Sequence, residues 1–161
     1  MFRILAAAAL LFALFSFTPA KACIGLGCTC SVSVDDVTFG TYDFLAGSLD
    51  AASNVEVTCS ALVVGVNFNY TVEADGGLSA DMTNRHMSNG ADTLHYNLYA
   101  DAARTQIWGD GTSGTTVIAD GYPLEILIPV TKNYPVYGRI PGGQVTPPGF
   151  YSDTLTVTVT Y

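Results

Sequence analysis

Basic residues are scarce in this chain of 161 residues, in which six lysines and arginines stand against 14 acidic residues. Arg3 and Lys21 lie in the first 22 residues, so the remainder carries four basic residues and a formal charge of −10. A strongly acidic surface repels the phosphates of nucleic acid and of anionic lipid headgroups. The composition therefore argues against both as partners, and the charge is otherwise explained by solubility.

Long apolar runs are also absent, apart from one at the N-terminus. Residues 4–17 form an apolar run of 14 residues behind the positive Arg3, and residues 20–22 offer an Ala-x-Ala cleavage site. Such a run is short for a membrane span and typical of a secretory signal peptide. We expect residues 1–22 to be removed and residues 23–161 to form one exported domain with no integral membrane segment.

Residues that catalysis or metal binding would need are few. The chain has two histidines, and it lacks a Gly-x-Ser-x-Gly motif that would mark a nucleophile elbow. Asp35 and Asp36 are adjacent, so on a strand their carboxylates face opposite ways, which is wrong for an acid/base pair. The Asp-Gly turns at Asp75 and Asp110 lack the alternating acidic pattern of an EF-hand. The sequence predicts no catalytic residue, no metal site and no cofactor.

Four cysteines stand out in this background: Cys23, Cys28, Cys30 and Cys59. An even number in an exported chain is typical of disulfides, and four cysteines allow three pairings. Cys28 and Cys30 are two residues apart and would point the same way on a strand, so we favour Cys30–Cys59 with Cys23–Cys28. The first bond would stabilise the fold by roughly 3–4 kcal/mol in the chain-entropy model. Cys23 would follow the cleavage site, which leaves lipidation open, although the residues before it fit a lipobox poorly.

Alternating polarity predicts strands throughout the rest of the chain. The run from Asp153 to Tyr161 places apolar side chains on one face and threonines on the other. The other candidate strands are 31–34, 37–39, 54–59, 66–72, 94–99, 115–118, 124–130 and 133–140. Short strands between Gly- and Pro-rich turns, with no helical period, predict an all-β sandwich.

The last predicted strand needs a neighbour on each edge, or one of its edges stays open. Another polypeptide can supply a missing strand. The apolar residues expected to flank such a gap belong to the first and last strands: Val32, Val34, Leu155, Val157, Val159 and Tyr161.

Four conspicuous side chains have structural interpretations. Arg85 and Arg139 are expected to pair with some of the many carboxylates. Trp108 precedes the Asp110-Gly111 turn and is expected to be a packed aromatic residue beside it. His95 falls on the polar face of its predicted strand, so we expect it at the surface.

Several motifs, in order along residues 23–161, resemble the spore coat protein U domain family. They are Cys30 with Val32-Ser33, Phe39-Gly40-x-Tyr42-Asp43, Val57-Thr58-Cys59, Arg85-x-Met87, Leu94-x-Tyr96-x-Leu98-Tyr99-x-Asp101, Trp108-Gly109-Asp110-Gly111, Tyr137-Gly138-Arg139-Ile140-Pro141-x-Gly143-Gln144 and Gly149-x-Tyr151-x-Asp153-Thr154. The resemblance implies a subunit of an archaic, Csu-type chaperone–usher pilus, with an immunoglobulin-like sandwich that lacks its last strand. It also implies a periplasmic chaperone, an outer-membrane usher and other pilus subunits as partners, and passage through the periplasm to the cell surface.

Two segments depart from the family pattern. Residues 23–29 are short for a donor strand and offer only two alternating apolar side chains, Ile24 and Leu26. The segment after Cys59 is longer and apolar; we interpret Leu62, Val63 and Val64 as a buried strand in preference to an exposed adhesive loop. The sequence therefore predicts a structural or adhesive subunit that accepts a donor strand but donates poorly, which would place it at the tip or in a minor role. The alternative is a self-sufficient secreted binding module or coat protein that does not polymerise.

Overall fold

The structure is a computed structural model that describes residues 27–62, 66–124 and 127–161. These residues form nine strands and a single-turn 3-10 helix at Gly77–Ser79. The strands are β1 (Cys28–Val34), β2 (Leu49–Ala61), β3 (Val66–Ala74), β4 (His86–Asn89), β5 (Asp92–His95), β6 (Asn97–Tyr99), β7 (Ile118–Leu124), β8 (Val130–Ile140) and β9 (Val157–Thr160). Within those ranges, no helix is long and apolar enough to cross a membrane.

The strands form a two-sheet sandwich with a separate hairpin. One sheet has the order β1-β2-β8-β6, the other has the order β7-β3-β9, and β4 pairs with β5. Every strand pairing is antiparallel. The predicted immunoglobulin-like all-β sandwich is therefore confirmed.

The core lies between the two sheets, because alternate residues of β2, β3 and β8 point inward. Burial along β2 and β8 alternates strictly towards one end of each strand. The inward side chains that are almost fully buried include Val55, Val57, Phe68, Val72 and Val136. Period-two alternation in the sequence predicted these strands. The alternation arises because one face of each strand packs into this core.

The predicted strand at 124–130 is wrong. β7 ends at Leu124 and β8 begins at Val130, and Leu127 between them has a positive φ of 57°. The strand before this loop contains Gly121 and Pro123, which argue against a strand in sequence alone. Pro123 is tolerated because β7 is an edge strand, whose outer side needs no N–H donor.

Two other predicted strands are wrong: residues 37–39 are irregular, and residues 115–118 contain only an isolated bridge at Thr116 before β7 begins at Ile118. Two more are partly correct. The run 94–99 is interrupted at Tyr96, between the end of β5 and the start of β6. Regular pairing of the last strand covers only Val157–Thr160, although the inward–outward alternation of burial extends from Tyr151 to Thr160.

One side of the sandwich, between β6 and β7, is closed by the chain itself. The edge of β6 is covered by residues 106–108, through the bonds Ala100 N–H to Gln106 O (2.9 Å) and Trp108 N–H to Leu98 O (2.9 Å). Trp108 is buried, and its indole N–H donates to Val72 O of the opposite sheet at 3.0 Å. The prediction of a packed aromatic is confirmed, and this indole links the two sheets.

Arg85 completes this closure and corrects a prediction. Its guanidinium is fully buried and donates to the carbonyl oxygens of Ala74, Asp75 and Trp108 and to Asn97 Oδ1. The partners are thus main-chain carbonyls and an amide, and no ion pair of Arg85 occurs among the described residues. Desolvation lowers the pKa of Arg85, while nearby Tyr96 and carboxylates oppose that shift.

Arg139 behaves as predicted. Its Nε and Nη2 donate to the two carboxylate oxygens of Asp50 at 2.7 and 2.8 Å. This hydrogen bond lowers the pKa of Asp50. The pair is partly exposed on the outer surface, where such contacts add little stability.

Candidate functional site: a groove between two edge strands

On the side opposite Trp108, β1 and β9 are edge strands of different sheets. Within the described residues, β1 is paired only with β2 and β9 only with β3. The two strands also run in opposite directions, because the register places Cys28 and Thr160 towards one end of the sandwich and Val34 and Val157 towards the other. Their free edges therefore flank a groove between the sheets.

The backbone of β1 alternates between β2 and the groove. Cys30 and Cys59 lie opposite each other with a Cα–Cα distance of 4.2 Å, as in a non-hydrogen-bonded antiparallel pair. The bond from Asp35 N–H to Asn54 O (3.0 Å) places the odd-numbered residues in the bonded set. The N–H and C=O groups of Cys30, Val32 and Val34 therefore point away from β2, towards the groove.

The same argument applies to β9. Asp75 N–H donates to Thr156 O at 3.1 Å, so the backbone groups of the even-numbered threonines point towards β3. The N–H and C=O groups of Val157 and Val159 then point outward, to the free edge. On both strands, the residues with free backbone groups are the apolar residues whose side chains face inward.

These edges line a cavity of 1260 Å³ that reaches into the core. Of the six residues predicted to flank a gap, Val32, Val34, Leu155 and Val157 line it. Val159 and Tyr161 do not: Val159 is half-buried against the core, and the Tyr161 ring packs 5.7 Å from that of Phe68. Val34 is 43% exposed, which is high for an inward-facing valine, and this leaves apolar surface open to solvent.

The cavity continues beyond the ends of β1 and β9, between two irregular segments. We call residues 35–44 the first wall and residues 146–155 the second wall; both line the cavity. Phe39 of the first wall packs edge-on against the Tyr96 ring, with centroids 5.9 Å apart. Gly138 allows this approach, because a Cβ there would lie 2.7 Å from the Phe39 ring.

Each wall is tied to a different part of the fold. The first wall is held to β2 by the bond from Asp35 to Asn54. The second is held to β4 by two bonds between Ser88 and Ser152, of 2.9 and 3.1 Å. The far end of the cavity is closed where Tyr42 Oη donates to Pro141 O (3.1 Å) and accepts from the Gln144 N–H (2.9 Å).

The cavity lining is acidic. Among the described residues, the lining contains no basic side chain. It contains four aspartates: Asp35, Asp36, Asp43 and Asp153. Tyr96 donates to Asp153 Oδ2 at 2.8 Å, and burial together with this carboxylate raises the pKa of Tyr96. The hydroxyl therefore stays protonated and fixes Asp153 in the second wall. A basic group on a ligand would be favoured at this lining, and an acidic one would be repelled.

The Cys30–Cys59 disulfide joins β1 to β2, and it is the pairing favoured from the sequence. Because β1 has a single strand partner among the residues that the structure describes, this bond holds one edge of the groove in place. The other predicted pairing, Cys23–Cys28, involves Cys23, which lies outside the described residues. The donor-tail residues Ile24 and Leu26 also lie outside them.

A second apolar surface lies at the end of the sandwich where β1 begins. Leu62 is 61% exposed, which corrects the expectation that this residue is buried; Val63 and Val64 lie outside the described residues. Leu127 and Ile128 are also exposed, and Leu127 N–H donates to Ala61 O at 2.9 Å. Sequence reasoning missed these two residues because it assigned them to a strand.

No group of three or more potential metal ligands occurs among the described residues. His86 and His95 lie opposite each other in the β4–β5 hairpin, with ring centroids 5.8 Å apart in an edge-to-face arrangement. His95 is exposed, as predicted. In the part of the chain that the structure describes, the groove and the exposed apolar end both present apolar side chains to solvent.

Comparisons with known proteins identify the family and the fold. The model of the Spore Coat Protein U domain matches residues 17–158. The chain is 33% identical to Protein U of Myxococcus xanthus over 171 residues, covering 92% of this chain and 91% of the relative. A chain of the CsuC–CsuE chaperone–tip adhesion subunit pre-assembly complex, from archaic chaperone-usher Csu pili of Acinetobacter baumannii, has the same fold. That match has a TM-score of 0.56 and 24% identity, and it covers 83% of this chain but only 40% of the other.

Proposed function

This chain belongs to the spore coat protein U domain family, and we propose that it is an exported subunit of a chaperone–usher pilus that accepts a β-strand from another polypeptide. One observation carries the proposal: on both edges of the groove, the residues with free backbone groups are the residues that direct apolar side chains inward. The strand would come from a periplasmic chaperone during export and from a neighbouring subunit after delivery to the outer-membrane usher.

The chemistry of the groove favours a polypeptide strand over a small apolar ligand. A strand placed between β1 and β9 would satisfy the N–H and C=O groups of Val32 and Val157 while filling the cavity with every second side chain. A small apolar molecule would cover the valines but leave the same backbone groups unpaired and shielded from water, which costs free energy. Strand addition provides both kinds of contact at once.

We further propose that this subunit accepts a strand but does not donate one. The tail of residues 23–29 offers two alternating apolar side chains, Ile24 and Leu26, separated by Gly25. A glycine weakens a strand, and the alternation is short. A subunit of this kind would stand at the distal end of a fibre, with the exposed Leu62, Leu127 and Ile128 available for contact with a surface.

Proline substitutions test strand acceptance with a matched pair. The Val32 N–H points to the groove, so Val32→Pro should leave the β1–β2 pairing intact and weaken a donor strand on that edge. The Ser31 N–H points to β2, so Ser31→Pro should destabilise the fold itself. The probe is a synthetic peptide of alternating Val and Thr, as long as the seven residues of β1. The measurements are the thermal midpoint of residues 23–161 with and without this peptide.

The wild-type chain should gain thermal stability with the peptide, and the Val32→Pro chain should gain much less. A wild-type chain that is stable alone and unchanged by any alternating peptide would contradict strand acceptance and favour a self-sufficient secreted module. Donation is tested separately. If the purified chain alone forms SDS-resistant polymers that vanish when residues 23–29 are deleted, the tail is a competent donor and the terminal position is wrong.

A further inference from the structure

We propose that the far part of the cavity, between the first and second walls, is an aromatic anchor site for a bulky apolar side chain that flanks the inserted strand. The inference rests on the proposed strand acceptance and adds a second, chemically different subsite to the same groove. Its partner is the same donor polypeptide, extended beyond the part that pairs with β1 and β9.

The two parts of the cavity differ in what they offer a ligand. Beside β1 and β9, the lining supplies free backbone groups as well as valine side chains. Between the walls, the lining is irregular chain, and its own bonds already hold it to β2 and β4. Because irregular chain presents no regular row of N–H and C=O groups for strand pairing, we expect a polypeptide passing between the walls to be bound through side chains.

Aromatic side chains concentrate in this part of the cavity. Phe39 and Tyr96 pack against each other in the interior, while Phe44 and Phe150 line the cavity and are 45% and 98% exposed. An almost fully exposed phenylalanine is unusual on a soluble protein and marks a contact surface when it borders an apolar cavity. Phe44 belongs to the first wall and Phe150 to the second, so one apolar side chain placed between the walls could contact both.

The backbone that precedes Phe150 is restricted, while its side chain is 98% exposed. Pro147 and Pro148 precede it and restrict the backbone, and Tyr151 Oη donates to Pro147 O at 2.8 Å. An aromatic side chain has only two rotatable side-chain bonds, so it loses little conformational entropy on contact, and aromatic residues are enriched at the centres of interfaces. The occupant is therefore a Phe-, Tyr-, Trp- or Leu-like residue, and the four aspartates of the lining favour a basic residue beside it.

The test uses two peptides that share an alternating Val/Thr strand part. One carries a flanking Phe and the other a Ser at the same place, and each is made with the flank at the N-terminal or the C-terminal end, because the donor direction is not assumed. Binding to residues 23–161 is measured by calorimetry. In one orientation, the Phe peptide should bind about tenfold more tightly than the Ser peptide, the gain expected for burying one such side chain.

Substitutions in the walls should remove the preference for the Phe peptide over the Ser peptide. Phe150→Ser and Phe44→Ser should each weaken the Phe peptide by roughly fivefold to tenfold and leave the Ser peptide unchanged. Leu78→Ser is the matched control, because Leu78 is 56% exposed and does not line the cavity. All three side chains are exposed, so folding should be preserved, which the thermal midpoints without peptide will check.

The outcomes separate the two proposals. If neither peptide binds in any form, strand acceptance itself fails. If both peptides bind equally and Phe150→Ser changes neither, the groove accepts a strand but the anchor site is wrong. A coupling between the Phe flank and Phe150, seen as a non-additive loss when both are replaced, establishes the anchor site.

Discussion

The two sides of this sandwich differ in how the space between the sheets is closed. Between β6 and β7, the chain closes itself with Trp108 (2% exposed) and Arg85 (0% exposed), whose side chains donate to the backbone of β3 and, for Arg85, also to the carbonyl of Trp108. Between β1 and β9, Val34 is 43% exposed, and the facing edges of both strands are unpaired in the described ranges. The contrast indicates that the opening is a local feature of a well-packed domain and not a sign of a poor core.

The contrast also explains where the disulfide lies. A strand with two strand partners is held by hydrogen bonds on both edges, but β1 has one partner within the described chain. The Cys30–Cys59 bond fixes β1 to β2 at an inward-facing position, so the edge keeps its shape while the groove is empty. The sealed side relies on a buried polar network, and the open side relies on a covalent link.

Removing the buried guanidinium should have the largest effect. Arg85→Met leaves the carbonyls of Ala74 and Trp108 without their donor, and each buried unsatisfied acceptor costs about 1–3 kcal/mol. We expect a loss of about 4 kcal/mol in the free energy of unfolding, measured in urea. Arg139→Met, which breaks a partly exposed pair with Asp50, is the control and should cost less than about 1 kcal/mol. Equal losses would mean that the sealed side does not depend on Arg85.

Removing the disulfide should have the next largest effect. Replacing Cys30 and Cys59 together by Ala should cost about 3 kcal/mol, because the bond closes a segment with a sequence separation of 29 residues. The control pair is Thr29→Ala with Ser60→Ala, which removes a 3.2 Å hydrogen bond between the same two strands and should cost less than about 1 kcal/mol. A disulfide-free chain as stable as the wild type would show that β1 does not need the covalent link.

Amide hydrogen exchange, measured for each residue of β1, should distinguish the amides at the open edge from those that pair with β2. The Val32 and Val34 amides point to the groove and should exchange about tenfold or more faster than those of Ser31 and Ser33, which face β2. A bound donor peptide should slow the two valines and leave the serines unchanged. Uniform protection along β1 in the free chain would contradict an open edge.

The smallest expected effect is at alkaline pH. Burial, with Tyr70 nearby, raises the pKa of Tyr122 to about 12, whereas an unfolded tyrosine titrates near 10. Because the folded pKa is the higher one, stability is fully present below about pH 10 and decreases as the pH rises towards 12. Tyr122→Phe should flatten this decrease in thermal midpoint, and Tyr99→Phe is the control. A decrease of the same slope in the Tyr122→Phe chain would assign the alkaline loss to other groups.

The sequence predicted the parts of the fold that obey period-two alternation. β1, β2, β3 and β8 were recognised because one face of each strand meets the core and the other meets water. The prediction of 124–130 failed because three consecutive apolar residues, 126–128, carry no period-two alternation. Leu127 and Ile128 of this run are exposed. β7 was missed because Gly121 and Pro123 resemble turn residues, and only its position at a sheet edge makes them acceptable.

Part of the candidate groove was also predictable from period-two alternation. Val32, Val34, Leu155 and Val157 follow from alternation at the two ends of the domain, and all four line the cavity. Phe44 and Phe150 could not be predicted, because their position depends on irregular walls that are tied to β2 and β4 through backbone bonds. Arg85 was assigned a carboxylate partner because carbonyl acceptors leave no signature in a sequence.

The alternation of backbone groups along β1 and β9 limits how an incoming strand can slide. A shift by one residue would turn its apolar side chains outward and bring polar ones against Val32 and Val157, so neighbouring registers are strongly disfavoured. A shift by two residues restores both the hydrogen bonds and the apolar contacts. Bound states of the groove therefore form a discrete ladder separated by two residues, about 7 Å along the strand, and a partner is distinguished by which step of that ladder its sequence fits.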